Sequence, residues 1–498
     1  MSDGNDLPVS IQPFRMRRVI IIISLFFLLH GFDAASQSIY QGVVMSDKLT
    51  EMMGSDSLKS VKMGKVFISG NRRTKNAIIL REIQCHEGDS MPLNQLLILL
   101  KESRDLIYNT NLFSIVDLHP VIHSASVVDV EIDVVERISF YPTPEFRLSD
   151  RNFTEWWKTY HADLGRITYG VKLRHNNVSG RADRLSIYIM NGFYRNISLN
   201  YTTPYFNKEM TKGFSAGISF TQQKDYPVAT TYNNKFRTYK KEDHNKTVYT
   251  INTTYILRKG YYRRNYWAFQ LTSMQLPDSV FAEKYNPQYL LSKSNDILIP
   301  ELSYTHQYIK TDNINYPLKG KIFQFTIAKR GLGWKGSANM TSLDFQYKYY
   351  FPIDKNYFGS IVTHHKLKLP FTQAYINQAA FGYADYYLRG LEQYVIDGVA
   401  TSLNKFTLSR KLISQKIKVP FRNRYLPYFP FDIFLKTYGD VGYAYLPKEQ
   451  DSRLNNTFLY SGGLGLDLLS IYDTRFSFEY SLNQLGEKGL FLHLRSFF

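Results

Sequence analysis

The sequence predicts a mainly β protein: a sixteen-stranded antiparallel transmembrane β-barrel preceded by one small α+β domain of order β-α-α-β-β. Three observations carry that prediction. From about Phe140 to the C-terminus, segment after segment alternates apolar and polar residues, with polar turns between them. Tyr and Phe number 39 and 34, and the tyrosines gather near segment ends, as an aromatic girdle at two membrane interfaces requires. The N-terminus has the make-up of an export signal, and no later run approaches the ~18 apolar residues of a membrane helix. A membrane chain without such helices has one other fold that satisfies its backbone groups in lipid, a closed barrel.

In chain order, Arg15, Arg17 and Arg18 form a positive region, Val19–Leu29 an apolar stretch too short to span, and Ala34-Ala35-Ser36 a small-residue cleavage site. Residues 1–36 are therefore expected to be a signal peptide, starting from Met1 or Met16, and residues 37–61 a polar linker. No cysteine follows the cleavage site, which excludes a lipoprotein signal. The single cysteine, Cys85, excludes an intramolecular disulfide and any cysteine-rich metal site, and is expected to be partly buried. The net charge of +18 fits either nucleic acid or a basic face or lumen near anionic headgroups. No basic run alternates with aromatic platforms, so the reading is no nucleic acid.

Residues 62–138 form the small domain. Lys65–Gly70 alternates as a strand and ends on a Gly70-Asn71 turn. Thr74 is placed to cap a helix running through Ile83. Gly88-Asp89-Ser90 breaks it, and Pro92 opens a second helix. There Leu93, Leu96, Leu97, Leu100, Leu106 and Ile107 form one apolar stripe. Ser114–Val121 and Val127–Glu136 close the domain as two strands.

The remaining chain, 139–498, is the barrel. Tyr169, Val171 and Leu173 alternate with Lys172 and Arg174; Phe476, Phe478, Tyr480 and Leu482 alternate with Ser477, Glu479 and Ser481. About sixteen such segments follow Phe140. Polar connections near 222–246, 277–297 and 371–404 read as surface loops. The chain ends on Gly489–Phe498, with Leu490, Leu492, Leu494 and Phe498 on one face.

Within 371–404, Leu388-Arg389-Gly390-Leu391 places a charge beside a glycine among apolar neighbours. An unpaired desolvated charge is costly, so Arg389 needs a partner. Asp440 of Gly439-Asp440-Val441-Gly442 is the candidate, with the loop folded into the barrel.

Motifs that suggest chemistry fail on context. Gly213-Phe214-Ser215-Ala216-Gly217 matches a nucleophile elbow but continues as a strand, not a helix. Gly331-Leu332-Gly333-Trp334-Lys335-Gly336 matches a dinucleotide loop but precedes a strand. His364 and His365 point to opposite faces. The expectation is no enzyme, no catalytic residue, no cofactor and no metal.

Gly70-Asn71, Thr74, Arg81-Glu82, Gly88, Leu106–Phe113 and Val134–Arg137 resemble a POTRA domain. Taken with the barrel, the Leu388-Arg389-Gly390 loop and Asp440-Val441-Gly442, the chain resembles the BamA/TamA superfamily of outer-membrane insertases and translocases. Leu391 departs from the aromatic residue usual there. The resemblance implies a structural latch of Leu388, Arg389, Gly390, Asp440 and Gly442. It implies a seam between first and last strands, around Phe146–Tyr160 and Gly489–Phe498, where a client strand pairs transiently; Phe146, Leu490, Leu492, Leu494 and Phe498 lie there. It also implies client capture by strand addition at a sheet edge in the small domain, assigned to Val116, Leu118 and Val121. Implied partners are unfolded outer-membrane or surface proteins, outer-membrane lipid, periplasmic chaperones and accessory lipoproteins. The implied location is the bacterial outer membrane, with the small domain in the periplasm. A passive pore and a translocator dedicated to one secreted partner are the alternatives.

Overall fold

The computed structural model describes residues 43–44, 46, 58–148, 161 and 163–495, apart from 125, 242, 293, 334–338, 384, 419–424, 426 and 448–451. The expected signal peptide, most of the linker, residues 149–160 of the first-strand region, and Phe498 lie outside the described residues.

The small domain comprises β1 (Ser60–Ser69), α1 (Asn76–Leu80), β2 (Ser90–Pro92), α2 (Leu93–Tyr108), β3 (Phe113–Ser124) and β4 (Val127–Glu136). Its sheet has the order β2-β1-β4-β3, with β1 parallel to β4 and the other pairs antiparallel. A parallel pair needs a crossover, which the helices supply. Helix α2 buries Leu93, Leu96, Leu100 and Ile107, the three-and-four spacing of one helical face, in a core shared with Val116, Leu118, Val130 and Ile132.

Three local readings are corrected. The Gly88–Ser90 break leads into a strand, because Ser90–Pro92 pair with Ser60–Lys62, so the observed order is β-α-β-α-β-β. Thr74 does not cap α1: the helix opens on Lys75 without a side-chain cap and ends at Leu80. The Thr74 hydroxyl instead accepts a hydrogen bond from Asn177 Nδ2 at 2.8 Å. Cys85 is fully buried in the domain core rather than partly.

Sixteen wall strands follow: β5 (Phe140–Leu148), β6 (Ile167–Asn176), β7 (Arg184–Gly192), β8 (Tyr194–Thr203) and β9 (Lys212–Gln223), then β12 (Lys246–Lys259), β13 (Arg263–Gln275), β14 (Asp296–Thr311), β15 (Gly320–Arg330), β16 (Met340–Pro352) and β17 (Tyr357–Leu369), then β20 (Ala400–Lys418), β21 (Tyr428–Tyr445), β22 (Phe458–Leu469), β23 (Arg475–Asn483) and β24 (Lys488–Arg495). Each pairs antiparallel with the next, in one sheet from β5 to β24. Between them, the hairpin β10 (Tyr226–Thr230) and β11 (Phe236–Tyr239), and the short pair β18 (Ala379–Phe381) and β19 (Ile396–Asp397), sit in the long loops.

The two faces of the sheet are inverted relative to a protein built for water alone. On β23, Phe476, Phe478, Tyr480 and Leu482 are exposed while Ser477, Glu479, Ser481 and Asn483 are buried. On β21, Asp432, Lys436 and Asp440 are buried while Tyr443 and Tyr445 are exposed. Apolar residues outward and polar residues inward is the pattern of a wall between lipid and a polar lumen.

The sheet is not closed. Among the described residues no backbone pairing joins β5 to β24, so the expected closed barrel has two unpaired edges. The loop expected over 371–404 ends sooner, since β20 begins at Ala400. The loops near 222–246 and 277–297 share a core of Tyr226, Val228, Tyr239, Val280 and Tyr289, so they pack against one another rather than extending separately.

Candidate functional site

The loop between β17 and β20 enters the space inside the sheet, and its tip is the site. Leu388 is fully buried, Arg389 nearly so and Asp440 completely so. Arg389 Nε lies 3.0 Å from Asp440 Oδ2 and Nη2 lies 2.5 Å from Oδ1, a two-pronged pair. The Arg389 backbone N–H donates to Asp440 Oδ2 at 3.0 Å. The remaining guanidinium donors reach Thr407 Oγ1 at 3.1 Å and the Phe406 carbonyl at 3.3 Å, and the group sits 4.0 Å from the Tyr438 ring centroid. One arginine thus ties the loop to both β20 and β21. A planar guanidinium suits this job because its fixed fork matches a carboxylate.

Gly390 and Gly442 are positions where shape decides. Gly390 has φ +84, and a Cβ there would stand 2.8 Å from Ser481 Cβ. Its carbonyl accepts from Asn483 Nδ2 at 2.9 Å, adding a tie to β23. A Cβ on Gly442 would press on Leu388 at 3.1 Å. Leu388 and Leu391 enter an apolar cluster with Phe381, Ile396, Leu403 and Leu459, so leucine at 391 fills a packing role.

Beside the pair, a buried polar network runs along β21–β23. Lys436 Nζ lies 2.6 Å from Asp467 Oδ1 and 2.6 Å from Glu479 Oε1. Asp467 also accepts from Ser477 at 2.6 Å and from Tyr316 at 3.0 Å. Such a network fixes strand positions more than it adds stability.

Two further anchors hold the small domain on the wall. Asp473, in the turn between β22 and β23, accepts from Tyr108 Oη at 3.0 Å, Arg137 Nη2 at 2.9 Å, and Asn313 and Asn315 Nδ2 at 2.9 Å each. Tyr472 and Asp473 both adopt positive φ, which turns the carboxylate toward these donors. Arg258, at the end of β12, pairs with Glu82 through Nη1 at 2.5 Å and Nη2 at 2.6 Å, and also meets the Tyr205 hydroxyl. Asp473 and the Glu82–Arg258 pair were not legible in the sequence. Nothing in strand alternation links residues so far apart, and a charge at a strand end ordinarily faces solvent.

The other expected positions divide. Val116 and Leu118 point into the domain core, and only Val121 is exposed. What they offer outward is backbone, because β3 is an edge strand. That edge already holds part of the chain's own N-terminal segment: Val43 bridges Leu118 in parallel, and the Val44 N–H donates to the Leu118 carbonyl at 2.9 Å. On the seam strands, Phe146, Leu490, Leu492 and Leu494 are each more than 60% exposed, so both edges present apolar residues outward. Ser215 lies within β9, hydrogen-bonded to Thr202, and not at a strand-to-helix turn. Gly331 and Gly333 follow β15 with positive φ, and residues 334–338 of that motif lie outside the described ones. His364 pairs with Asp344 at 3.0 Å, while His365 stacks on Phe345, so they share no ligand position.

Residues 177–395 match the family model of the Omp85 superfamily domain. No curated protein matches the chain by sequence. Among solved structures, the chain is similar to CdiB from Escherichia coli at 12% identity, over 87% of this chain and 75% of that one, with a TM-score of 0.51. It also aligns with BamA from Haemophilus ducreyi lacking POTRA domains 1-3, at 14% identity over 87% and 83% of the two chains, with a TM-score of 0.47. For CdiB from Acinetobacter baumannii the values are 11% identity, 98% and 87% coverage, and a TM-score of 0.42. At 12% identity the likeness to CdiB from Escherichia coli concerns the fold alone.

Proposed function

We propose, taking as premise that residues 177–395 form an Omp85 superfamily domain, that this chain inserts or translocates other proteins at the bacterial outer membrane, with its small domain on the periplasmic side. The observation that carries the reading is that, among the described residues, β5 and β24 each have one edge without a partner strand, on a wall whose other strands pair on both sides. An unpaired edge is a template for another strand: its backbone donors and acceptors read little sequence and accept many clients. In this reading Arg389 and Asp440 do no chemistry. They hold the loop inside the wall, so that movement at the seam does not unravel the strands behind it.

The small domain adds a second edge at β3. The Val43 bridge suits a place where strand addition is favourable, and an incoming client segment would displace it. The free energy of client folding drives the process, and no covalent step is required. Unfolded outer-membrane or surface proteins are the proposed partners, with lipid at the seam.

The test is a covalent lock. Single cysteines are placed along β5 and β24 in a Cys85→Ala background and oxidised in pairs. Client assembly should stop on oxidation and resume on reduction. Assembly that continues with the seam locked would remove the proposal. Deleting residues 62–138 separates the pore alternative, since a passive pore would still conduct and an insertase would not assemble clients.

A further inference from the structure

The inner face of the last two strands carries a cluster that the Arg389–Asp440 pair does not use. Glu392 lies on the inserted loop just past that pair, Glu479 on β23 and His493 on β24. One ligand atom from each lies within 4.8 Å of the other two. His493 Nε2 stands 3.4 Å from Glu479 Oε2 and 3.6 Å from Glu392 Oε1. Charge-assisted hydrogen bonds close to about 2.7–2.9 Å, so these separations are too long for them. Among the described residues, both Glu392 carboxylate oxygens, Glu479 Oε2 and His493 Nε2 are buried atoms without a hydrogen-bond partner, their contacts with one another being the longer ion-pair separations just given. The Glu479 side chain is 5% exposed. Its other oxygen is held by Lys436 at 2.6 Å, which leaves Oε2 directed at the cluster.

Buried carboxylate oxygens without donors are costly. The same separations suit a shared ion. Ligand atoms about 2.0–2.2 Å from a tetrahedral zinc ion stand roughly 3.3–3.6 Å from one another. We infer that Glu392, Glu479 and His493 form a divalent-metal site, with zinc as the fitting ion. Glu392 and the Oε2 of Glu479 supply carboxylate ligands, and a neutral imidazole supplies the borderline-soft donor that zinc accepts and that calcium and magnesium do not favour. The far side of the imidazole is packed by the Tyr387 ring, which stacks on it with centroids 5.5 Å apart. Of the neighbouring cations, Arg389 and Lys405 pair with Asp440, and Lys436 is shared between Asp467 and Glu479 Oε1. Because the three ligands come from the loop, β23 and β24, the ion would clamp the final strand, one side of the unpaired seam, to the inserted loop.

The experiment uses the full-length, untagged protein in detergent micelles, stripped with chelator and titrated with zinc chloride. Bound metal is measured by mass spectrometry after dialysis. About one zinc ion per chain is expected. The Glu392→Gln and His493→Ala variants should each bind at least about tenfold more weakly. Cobalt(II) should give visible absorption bands that His493→Ala abolishes. If the unsubstituted protein binds no more zinc than the Glu392→Gln/His493→Ala double variant, the site is overturned and the cluster is a protonated imidazole between two carboxylates. Undiminished binding in both single variants overturns it as well. Stoichiometry in the unsubstituted protein decides even where a variant fails to fold.

Discussion

Replacing Arg389 with alanine removes both prongs of its pair with Asp440, the bonds to Thr407 and Phe406, and the stacking on Tyr438. It leaves a carboxylate with no solvent exposure. Breaking one side of a buried ion pair costs about 3–5 kcal/mol, mostly from the stranded charge. Lys405 Nζ is 3.8 Å from Asp440 Oδ2 and can move in, which sets the expectation near the lower end, about 3 kcal/mol. Asp440→Asn should recover part of that loss when combined with Arg389→Ala, because the stranded charge is then gone. The assay is urea unfolding of protein folded into lipid vesicles, followed by tryptophan fluorescence, with both single variants and the double variant. A loss under about 0.5 kcal/mol for Arg389→Ala, or strict additivity in the double variant, would refute the pair as the fastener of the loop.

Three other outcomes are expected. Gly390→Ala places a side chain at φ +84 and against Ser481, so it should lower the folded fraction in unheated electrophoresis and cost about 1–2 kcal/mol, whereas wild-type behaviour would mean the loop tip is not held where the structure has it. Arg258→Ala strands the buried Glu82 and should release the small domain from the wall, seen as faster hydrogen exchange in residues 76–80 with the barrel strands unchanged; unaltered exchange would count against the anchor. Val44→Pro removes the N–H donated to Leu118 and should raise capture of an extended client peptide by a photo-crosslinker at Val121, while unchanged capture would show that β3 is not the receiving edge.

Much of the wall was legible because lipid outside and a polar lumen inside impose a period of two on every strand, and that pattern persists from β6 to β24. The Arg389–Asp440 contact was legible for another reason: an arginine among leucines next to a glycine requires a nearby counter-charge, and Asp440 sits in a strand with small neighbours. What escaped has physical causes. Strand β2 is three residues long, too short to show a period, and is defined only by its pairing with β1. Thr74 has the chemistry of a helix cap, but its hydroxyl is taken by Asn177 from a barrel turn. The Asp473 cluster and the Glu82–Arg258 pair depend on how the small domain sits against the wall, which no local spacing encodes. Glu392, Glu479 and His493 meet only because the loop folds inward beside the last two strands. Alternation did not show the unpaired edges, since it specifies each strand's faces but not whether the sheet closes; only the family resemblance implied a seam there.

The most direct test of the central claim is where a client touches the wall. A photo-activatable residue is placed singly at Phe146 on β5, at Leu490 and Leu492 on β24, and at Phe345 on β16, a control that is also exposed on the outer face. Cells assembling outer-membrane proteins are irradiated and the adducts identified. Client adducts at 146, 490 and 492 and none at 345 are the predicted result. Equal adducts at all four positions, or none at the seam while clients still assemble, would contradict the account.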